Sequence, residues 1–567
     1  MMSFKHSQRL ALGVALTGSL ISGLAHAEAG KEWTTYGGDY SNNRHSSLTQ
    51  INTKNVHELK VSWVRSLGTL DSQESTPLVI GDTMYVSTAA GPRFVYALNA
   101  KTGAIKWVYE PEIPSDFAQY ACCGIPSRGV SFANGKVFVG RLDGKLTALN
   151  AQTGKELWTT TVSNYKEGAG ITSPPLIVKN LVITGYTGGE YGVRGALQAY
   201  DQNTGKQVWK TFLTPGAGEP GSETWKGDSA KNGGATAWYV GAYDPKRNLI
   251  YWGTGNAGPW GNEPRGNNSH DIDPYVNLHT VSTLAFNPDN GKIVWSYQET
   301  PAEVWDYDGV NEQVLTDLSI NGQTVPALMK ASRNGFFYVL NRETGKVISA
   351  DPFVHVNWAS KVDLNTARPV ENPDKRPLLN TWAKNVCPSV FGGKNWQPMS
   401  FNPTTKLVYI PTIEACMDIM NTEAGKRDVG KFYLGTDMRM DGPPDQANPS
   451  RLIAWDPVGK KVAWAVNDDV LHSFGGTMNT DGGLVFFGNA KGLLRAVDAK
   501  NGKELWKFNV GTGILQSPVT YMVDGKQYIA VTAGRIKGPP SFMGKKGEAL
   551  IKSSPEGGYL MVFELPN

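Results

Sequence analysis

The chain holds only four cysteines in 567 residues. None falls in a Cys-x-x-Cys-His pattern, which excludes a covalently attached c-type haem. Positive charge is not concentrated either. Lys and Arg total 55 against 51 Asp and Glu, and no basic run exists of the kind that tracks a phosphate backbone, so nucleic-acid binding is excluded as a function class. Beyond the N-terminus no apolar run is long enough to cross a membrane. The one apolar stretch, from Leu10 to Leu24, is short and is broken by Thr17, Gly18 and Ser19, which does not suit a bilayer span.

That stretch reads instead as a secretory signal. Lys5 and Arg9 supply a positive start, and Ala25-His26-Ala27 supplies a small-x-small cleavage site. Residues 1–27 are expected to be removed, leaving a nearly neutral mature chain exported to the periplasm. No cysteine follows the cleavage site, which argues against a lipid anchor there. An oxidising destination lets disulfides persist. Cys122 and Cys123 are neighbours in Ala-Cys-Cys-Gly. Adjacent cysteines reach disulfide geometry only by straining the peptide between them, so the pair reads either as two free thiols or as a vicinal bridge. The compartment favours the bridge and makes Cys387–Cys416 a second candidate.

Glycine (64), proline (33) and tryptophan (17) are plentiful, as in proteins of many short strands joined by tight turns. The tryptophans recur in register. Ala-Leu-Asn-Ala-Lys-Thr-Gly-Ala-Ile-Lys-Trp ends at Trp107, and close copies end at Trp158 and Trp209. Variants end at Trp295, Trp464 and Trp506, and a degenerate copy lies between Leu340 and Val347. The unit is a hairpin: Asp or Asn bonds its own backbone, Gly takes a positive φ, and the next strand carries Trp into the core. Its recurrence at roughly 40 to 50 residues points to propeller blades. The wider gap between Trp209 and Trp295 implies insertions. Seven visible copies, with strands shared between the two ends, predict an all-β, eight-bladed β-propeller in which residues 28–567 form a single domain.

Taken together, this repeat and six further motifs resemble the quinoprotein alcohol dehydrogenases that use pyrroloquinoline quinone (PQQ), the methanol and ethanol dehydrogenase family. The resemblance covers essentially the whole mature chain. In Cys122–Gly129 it implies a vicinal disulfide on one face of the quinone and Arg128 on a PQQ carboxylate, a pairing that suits a planar guanidinium. In Thr187–Gly195, Thr187, Gly188 and Gly189 match cofactor contacts and Glu190 a metal carboxylate. Thr172 and Glu74 match further cofactor contacts. In Gly233–Trp238, Trp238 matches the aromatic floor opposite the disulfide, and Thr236 an edge contact. In Gly253–Trp260, Asn256 matches a metal ligand through its amide oxygen.

Trp305–Glu312 carries the chemistry. Asp306 matches the catalytic base that removes the alcohol proton. Asp308, two residues on, is the additional carboxylate of lanthanide-type relatives, where calcium-type relatives have a small uncharged residue. A trivalent hard cation benefits from one more carboxylate oxygen, so a lanthanide(III) is favoured and calcium is the alternative. Arg333 matches the basic residue beside the quinone oxygens, and Asn395 and Trp396 match a further contact segment. The resemblance implies hydride transfer from an alcohol to PQQ, giving an aldehyde or ketone, with electrons passed to a separate soluble cytochrome c. A homodimer stays open.

The chain also departs from the family. Phe474 stands where relatives carry Trp, and Ala533–Pro540 replaces an aromatic-rich Gly-Gly stretch. A wider or more polar pocket is expected, which brings sugars or bulky secondary alcohols in as alternative substrates. A non-enzymatic scaffold propeller would share the Trp repeat but would not need the carboxylates.

Overall fold

A computed structural model describes Met1 and residues 31–70, 72–88, 94–440, 449–468, 475–536 and 544–567. The expected signal segment, Phe474 and residues 537–540 lie outside the described residues. No helix among the described residues is long and apolar enough to cross a membrane.

The chain is all-β and propeller-like. Successive antiparallel sheets of four strands occupy residues 78–109, 131–161, 176–212, 242–298, 314–352 and 400–468. The next, within residues 478–509, is extended by a short parallel strand, His45–Ser46. A further sheet joins the two ends of the chain, pairing Lys60–Ser66 with Gly558–Glu564 in a group completed by Val519–Val523 and Lys526–Gly534. Inner strands such as Val95–Asn99 and Ala196–Asp201 are buried on both faces, whereas last strands such as Ile105–Tyr109 and Lys461–Asp468 are half exposed. The first strands of neighbouring sheets touch one another, which places them innermost. A smaller excursion, Trp382–Val386 with Met417–Asn421 and Thr436–Arg439, lies outside this pattern.

The repeated hairpin works as its residues dictate. The Asn99 side chain accepts from the Lys101 and Thr102 N–H groups, and Asp201 does the same for Asn203 and Thr204. The hairpin glycines have left-handed φ, 69° at Gly103 and 67° at Gly205. Trp107, Trp209 and Trp506 are buried in the core. Trp107, Trp158, Trp209, Trp295 and Trp464 each dock on the hairpin glycine of the following sheet, and Trp506 packs on Phe563. A Cβ on Gly154 would lie 2.6 Å from the Trp107 ring, and one on Gly291 2.5 Å from Trp209. The indole N–H completes the joint: Trp107 donates to Ala151 O (2.9 Å), Trp209 to Pro288 O (2.8 Å) and Trp295 to Arg342 O (3.2 Å). Glycine is thus required twice over, for its φ and for the ring above it.

The degenerate copy supports this reading. Ser349 stands at its Trp position, and the hairpin it would dock on is the one whose left-handed residue is Lys460 (φ 56°) instead of glycine. Trp and Gly drop out together. A left-handed non-glycine residue costs about 1–2 kcal/mol, while the exposed Lys460–Asp351 contact at 3.7 Å is worth little. Lys460→Gly is therefore expected to stabilise the fold by about 0.5–1 kcal/mol, read as a shift in urea midpoint.

Candidate active site

The site is assembled from the segments that lead into the innermost strands. Glu74, Arg128, Thr172, Trp238, Asp308 and Trp396 each precede the first strand of a sheet by a few residues. These segments are stitched together around the centre. Thr76 N–H donates to Arg128 O, Arg128 N–H to Thr172 O, and Thr172 Oγ1 to Trp238 O, each at 3.0 Å. Of the residues expected at the site, all but Gly189, Thr236 and Asn256 line one cavity. Those three lie directly behind its wall. A Cβ on Gly189 would lie 2.4 Å from Asn256 Oδ1, and one on Gly255 would lie 2.7 Å from Asp308 Oδ1 and 3.1 Å from Thr236 Oγ1.

At one end Cys122 and Cys123 are joined by a disulfide, as are Cys387 and Cys416. Trp238 shares the cavity with the vicinal pair. Its carbonyl is held by Thr172 and by Ser173 Oγ (2.9 Å). The Arg128 guanidinium lies 5.2 Å from the Trp238 ring and 4.5 Å from the Trp396 ring. Arg128 Nη2 is 2.9 Å from Glu74 Oε2, yet neither that oxygen nor Arg128 Nε or Nη1 makes a hydrogen bond. Burial pushes the Glu74 carboxyl above its ordinary range, with Arg128 opposing.

At the other end three carboxylates share one guanidinium. Glu190 sits on the 3-10 turn Gly189–Tyr191, flanked by left-handed Gly188 (φ 114°) and Gly192 (φ 64°). Asp306 is itself left-handed (φ 60°). Asp308 Oδ1 accepts from Asn256 N–H (2.7 Å) and its Oδ2 from Arg333 Nη1, while Arg333 Nη2 lies 3.7 Å from Asp306 Oδ2. Burial, then the neighbouring Asp308, pushes Glu190 up to about 7. Burial also raises Asp306 and Asp308 above the carboxylate range, with Arg333 opposing. Among the described residues no three His, Cys, Asp or Glu side chains close into a ready-made metal cage. Asp308 faces Arg333 and Asn256 N–H, so it does not turn freely with Asp306 toward one point, and Arg333 sits on that carboxylate.

The unpartnered buried atoms test what this cavity fits. At and behind the cavity wall they include Arg128 Nε and Nη1, Arg333 Nε, Trp260 Nε1, Thr236 Oγ1, Asn256 Oδ1 and Asp306 Oδ1. Buried polar atoms are rarely left so, and each costs about 1–3 kcal/mol. Two groups among them bear on a ligand. Arg128 offers donors, which suit an anionic polar ligand beside Trp238 and Trp396. Asn256 Oδ1 and Asp306 Oδ1 accept no hydrogen bond, and such bare oxygens suit a hard cation. Three carboxylates with one arginine leave negative charge in a dry pocket, which such a cation would neutralise. The residues therefore fit both a carboxylated planar cofactor and a metal.

Other expected contacts are occupied by the protein. Thr187 Oγ1 accepts from Gly170 N–H (2.9 Å) and donates to Gly168 O (3.0 Å), pinning a wall of the cavity. Asn395 Nδ2 donates to Phe391 O (3.1 Å). A Cβ on Gly392 would lie 2.7 Å from Arg333 Cα and Cγ, so this glycine lets the 389–396 segment press on the arginine.

Sequence reasoning missed the outer wall: Leu142, Tyr191, Val390, Phe391, Phe432, Leu434 and Met438, with Trp260. Phe432, Leu434 and Met438 belong to a strap that grips the Glu190 turn. Tyr433 N–H donates to Glu190 O (2.7 Å), Arg427 Nε to Tyr191 O (2.7 Å), and Leu434 O accepts from Gly261 N–H (2.9 Å). The aromatic run Phe432-Tyr433 was the only available signal. Of the altered C-terminal stretch, Ile536 packs with Tyr239 and Trp396 behind the cavity and does not line it. The described side chains of the outer wall are mainly apolar; the expected wider or more polar pocket rests on Phe474 and on a stretch whose residues 537–540, like Phe474, lie outside the described residues.

Residues 33–351 and 456–529 match the family description "PQQ: Glucose/ethanol/alcohol dehydrogenase, beta-propeller domain". The chain is 42% identical to the lanthanide-dependent methanol dehydrogenase of Methylacidiphilum fumariolicum (strain SolV), over 89% of this chain and 84% of that one. It is 38% identical to the quinoprotein alcohol dehydrogenase PedH of Pseudomonas putida, over 98% and 96%. Among solved structures, a europium-containing methanol dehydrogenase superposes with a TM-score of 0.90 at 39% identity, covering 95% of this chain and 99% of that one.

Proposed function

The chain belongs to the PQQ-dependent alcohol dehydrogenase family, and from that premise we propose the following assignment of its parts. The described sheets are the blades of one closed, eight-bladed domain spanning residues 28–567, with residues 1–27 a cleaved signal and the enzyme periplasmic. The terminal sheet built from both chain ends and the contact of Trp506 with Phe563 of that sheet, ring centroids 5.3 Å apart, support the closure.

PQQ occupies the space between the vicinal disulfide and Trp238, and the metal the space among Glu190, Asn256, Asp306 and Asp308. The observation that supports this is the presence in one site of unpartnered buried donors on Arg128 and of bare oxygens on Asn256 and Asp306. When bound, PQQ accepts a hydride and the metal polarises its carbonyl. Arg128 orients the cofactor through a carboxylate, as a guanidinium fork does best. Asp306 takes the alcohol's hydroxyl proton on Oδ1. Arg333 supplies positive charge beside the reacting centre. Cys123 is exposed at the mouth, and a soluble cytochrome c is the electron acceptor we assign. The metal we favour is a lanthanide, on the count of three carboxylates, with calcium the alternative.

The apolar outer wall favours alcohols with an apolar carbon chain over sugars, whose hydroxyls would face Phe432, Leu434 and Met438 without partners. Phe432 is 55% exposed and lies 5.0 Å from the Tyr191 ring at the mouth. Phe432→Ala is expected to shift the kcat/KM ratio of a bulky primary alcohol over ethanol by roughly tenfold toward the bulky one.

The deciding experiment supplies purified apoprotein with PQQ and either calcium or a light lanthanide, and follows dye reduction across alcohols and sugars. Alcohol-dependent reduction with the lanthanide supports the reading. Activity with sugars alone would overturn the substrate assignment, and failure to bind PQQ would overturn the cofactor site.

A further inference from the structure

Two buried carboxylates outside the assigned site hold the loop that carries Asp306 and Asp308, Glu303 directly and Glu299 through Lys330. Glu303 is fully buried. Its Oε1 accepts from Trp305 N–H (2.5 Å) and from Tyr307 N–H (2.8 Å), the two peptide groups that bracket Asp306. Between them Asp306 is left-handed, a conformation that costs a non-glycine residue about 1–2 kcal/mol and survives only where its surroundings over-determine it. Peptide N–H groups converging across a left-handed residue form a concavity that takes an acceptor oxygen, and Glu303 Oε1 fills it.

The rest of the loop is held just as firmly. Trp305 and Tyr307 are fully buried and stack at 5.6 Å, beside Trp358. Their inward anchoring turns Asp306 and Asp308 toward the cavity, which both residues line. Arg265, buried and bonded to Pro259 O and Trp260 O (both 2.7 Å), also holds Glu303 O. Beyond Asp308, the buried Lys330, paired with Glu299 at 2.5 Å, holds Gly309 O.

We propose that Glu303 is a positioning residue for the reaction: by clamping the N–H groups on either side of Asp306 it fixes the backbone conformation from which that carboxylate reaches the substrate hydroxyl. The inference rests on the reading of Asp306 as proton acceptor. It attributes to Glu303 no contact with substrate, cofactor or metal. Both clamping bonds use one oxygen, so an amide oxygen in its place can make them.

The test is a cycle in the reconstituted holoenzyme of Glu303→Ala, Glu303→Gln and Asp306→Asn, with PQQ occupancy followed by absorbance and folding by melting temperature. A misplaced reacting group costs roughly 10²-fold. Glu303→Ala is expected to lower kcat by about that factor with KM and PQQ occupancy little changed, and Glu303→Gln to recover at least roughly tenfold of the loss. In the Asp306→Asn background, Glu303→Ala is expected to cost less than about threefold, because residues acting as a unit are not additive. A Glu303→Gln enzyme as slow as Glu303→Ala would overturn the clamp, since charge and not the acceptor oxygen would then matter. Full additivity with Asp306→Asn would also overturn it. If Glu303→Ala does not fold, the Gln variant and its cycle decide alone. Normal turnover by Asp306→Asn would defeat the base assignment itself, whereas an inactive Asp306→Asn beside a fully active Glu303→Ala would defeat only the clamp.

Discussion

Asp306→Asn is expected to lower kcat by about 10²–10⁴-fold, the usual worth of a positioned general base, while PQQ stays bound. The substitution isolates the proton. Asparagine has the same shape and tolerates left-handed φ better than most residues, so the loop held by Glu303 keeps its course. Its amide oxygen still offers a donor to a cation, beside Glu190, Asn256 and Asp308. What disappears is an oxygen able to take a proton. In the structure Asp306 Oδ1 is buried and unpartnered, and burial raises the carboxyl's hold on a proton while Arg333 opposes it. That balance suits a group that must be ionised before the reaction and protonated after it. Single-turnover reduction of bound PQQ by alcohol gives the direct measurement. Turnover within a few-fold of wild type would move the base elsewhere, with Glu190, pushed up to about 7, the next group to replace.

The parts of this molecule legible in its sequence are those whose physics is local. The Asx turn, left-handed glycine and following Trp define a hairpin within eleven residues, and the all-β architecture followed from its recurrence. Where the Trp goes was not legible, because its partner is the glycine of the following hairpin, 47 residues on from Trp107 to Gly154 and 82 from Trp209 to Gly291. The motif residues of the site came together because they sit at fixed places in their sheets: Glu74, Arg128, Thr172, Trp238, Asp308 and Trp396 just before a first strand, and Glu190, Asn256 and Arg333 on the connection from a second strand to a third. Their individual tasks were less legible. Thr172 and Thr187 spend their hydroxyls on backbone carbonyls, and Asp308 is shared between Asn256 N–H and Arg333. The strap from Arg427 to Met438 left only the pair Phe432-Tyr433 as a signal, and the clamp at Glu303 left none. Both act through main-chain groups, Glu190 O, Trp305 N–H and Tyr307 N–H, which every residue type possesses.

On the proposed metal assignment Asp308 separates lanthanide from calcium, and its replacement is expected to have the second large effect. Asp308→Ala should weaken lanthanide binding at least about 10–100-fold, the cost of losing even an outer partner of a metal site. Calcium should suffer less, since a divalent ion gains less from the third carboxylate. Two further consequences follow from the contacts. Arg333 loses its nearest anion and is left facing the cation with Asp306 at 3.7 Å as its remaining ion pair. Asn256 N–H loses its acceptor at 2.7 Å, which loosens the residue whose amide oxygen is meant for the metal. Asp308→Asn divides these effects, because an amide oxygen can still receive the Asn256 N–H while the charge is gone. Competition between terbium and calcium, read by lanthanide luminescence in the PQQ-loaded protein, distinguishes the cases. A large loss of terbium affinity in both variants assigns Asp308 to the metal. Retained affinity in Asp308→Asn would make it an anchor for Asn256 and would return calcium as the metal of choice, leaving Glu190 and Asp306 as the only carboxylate ligands.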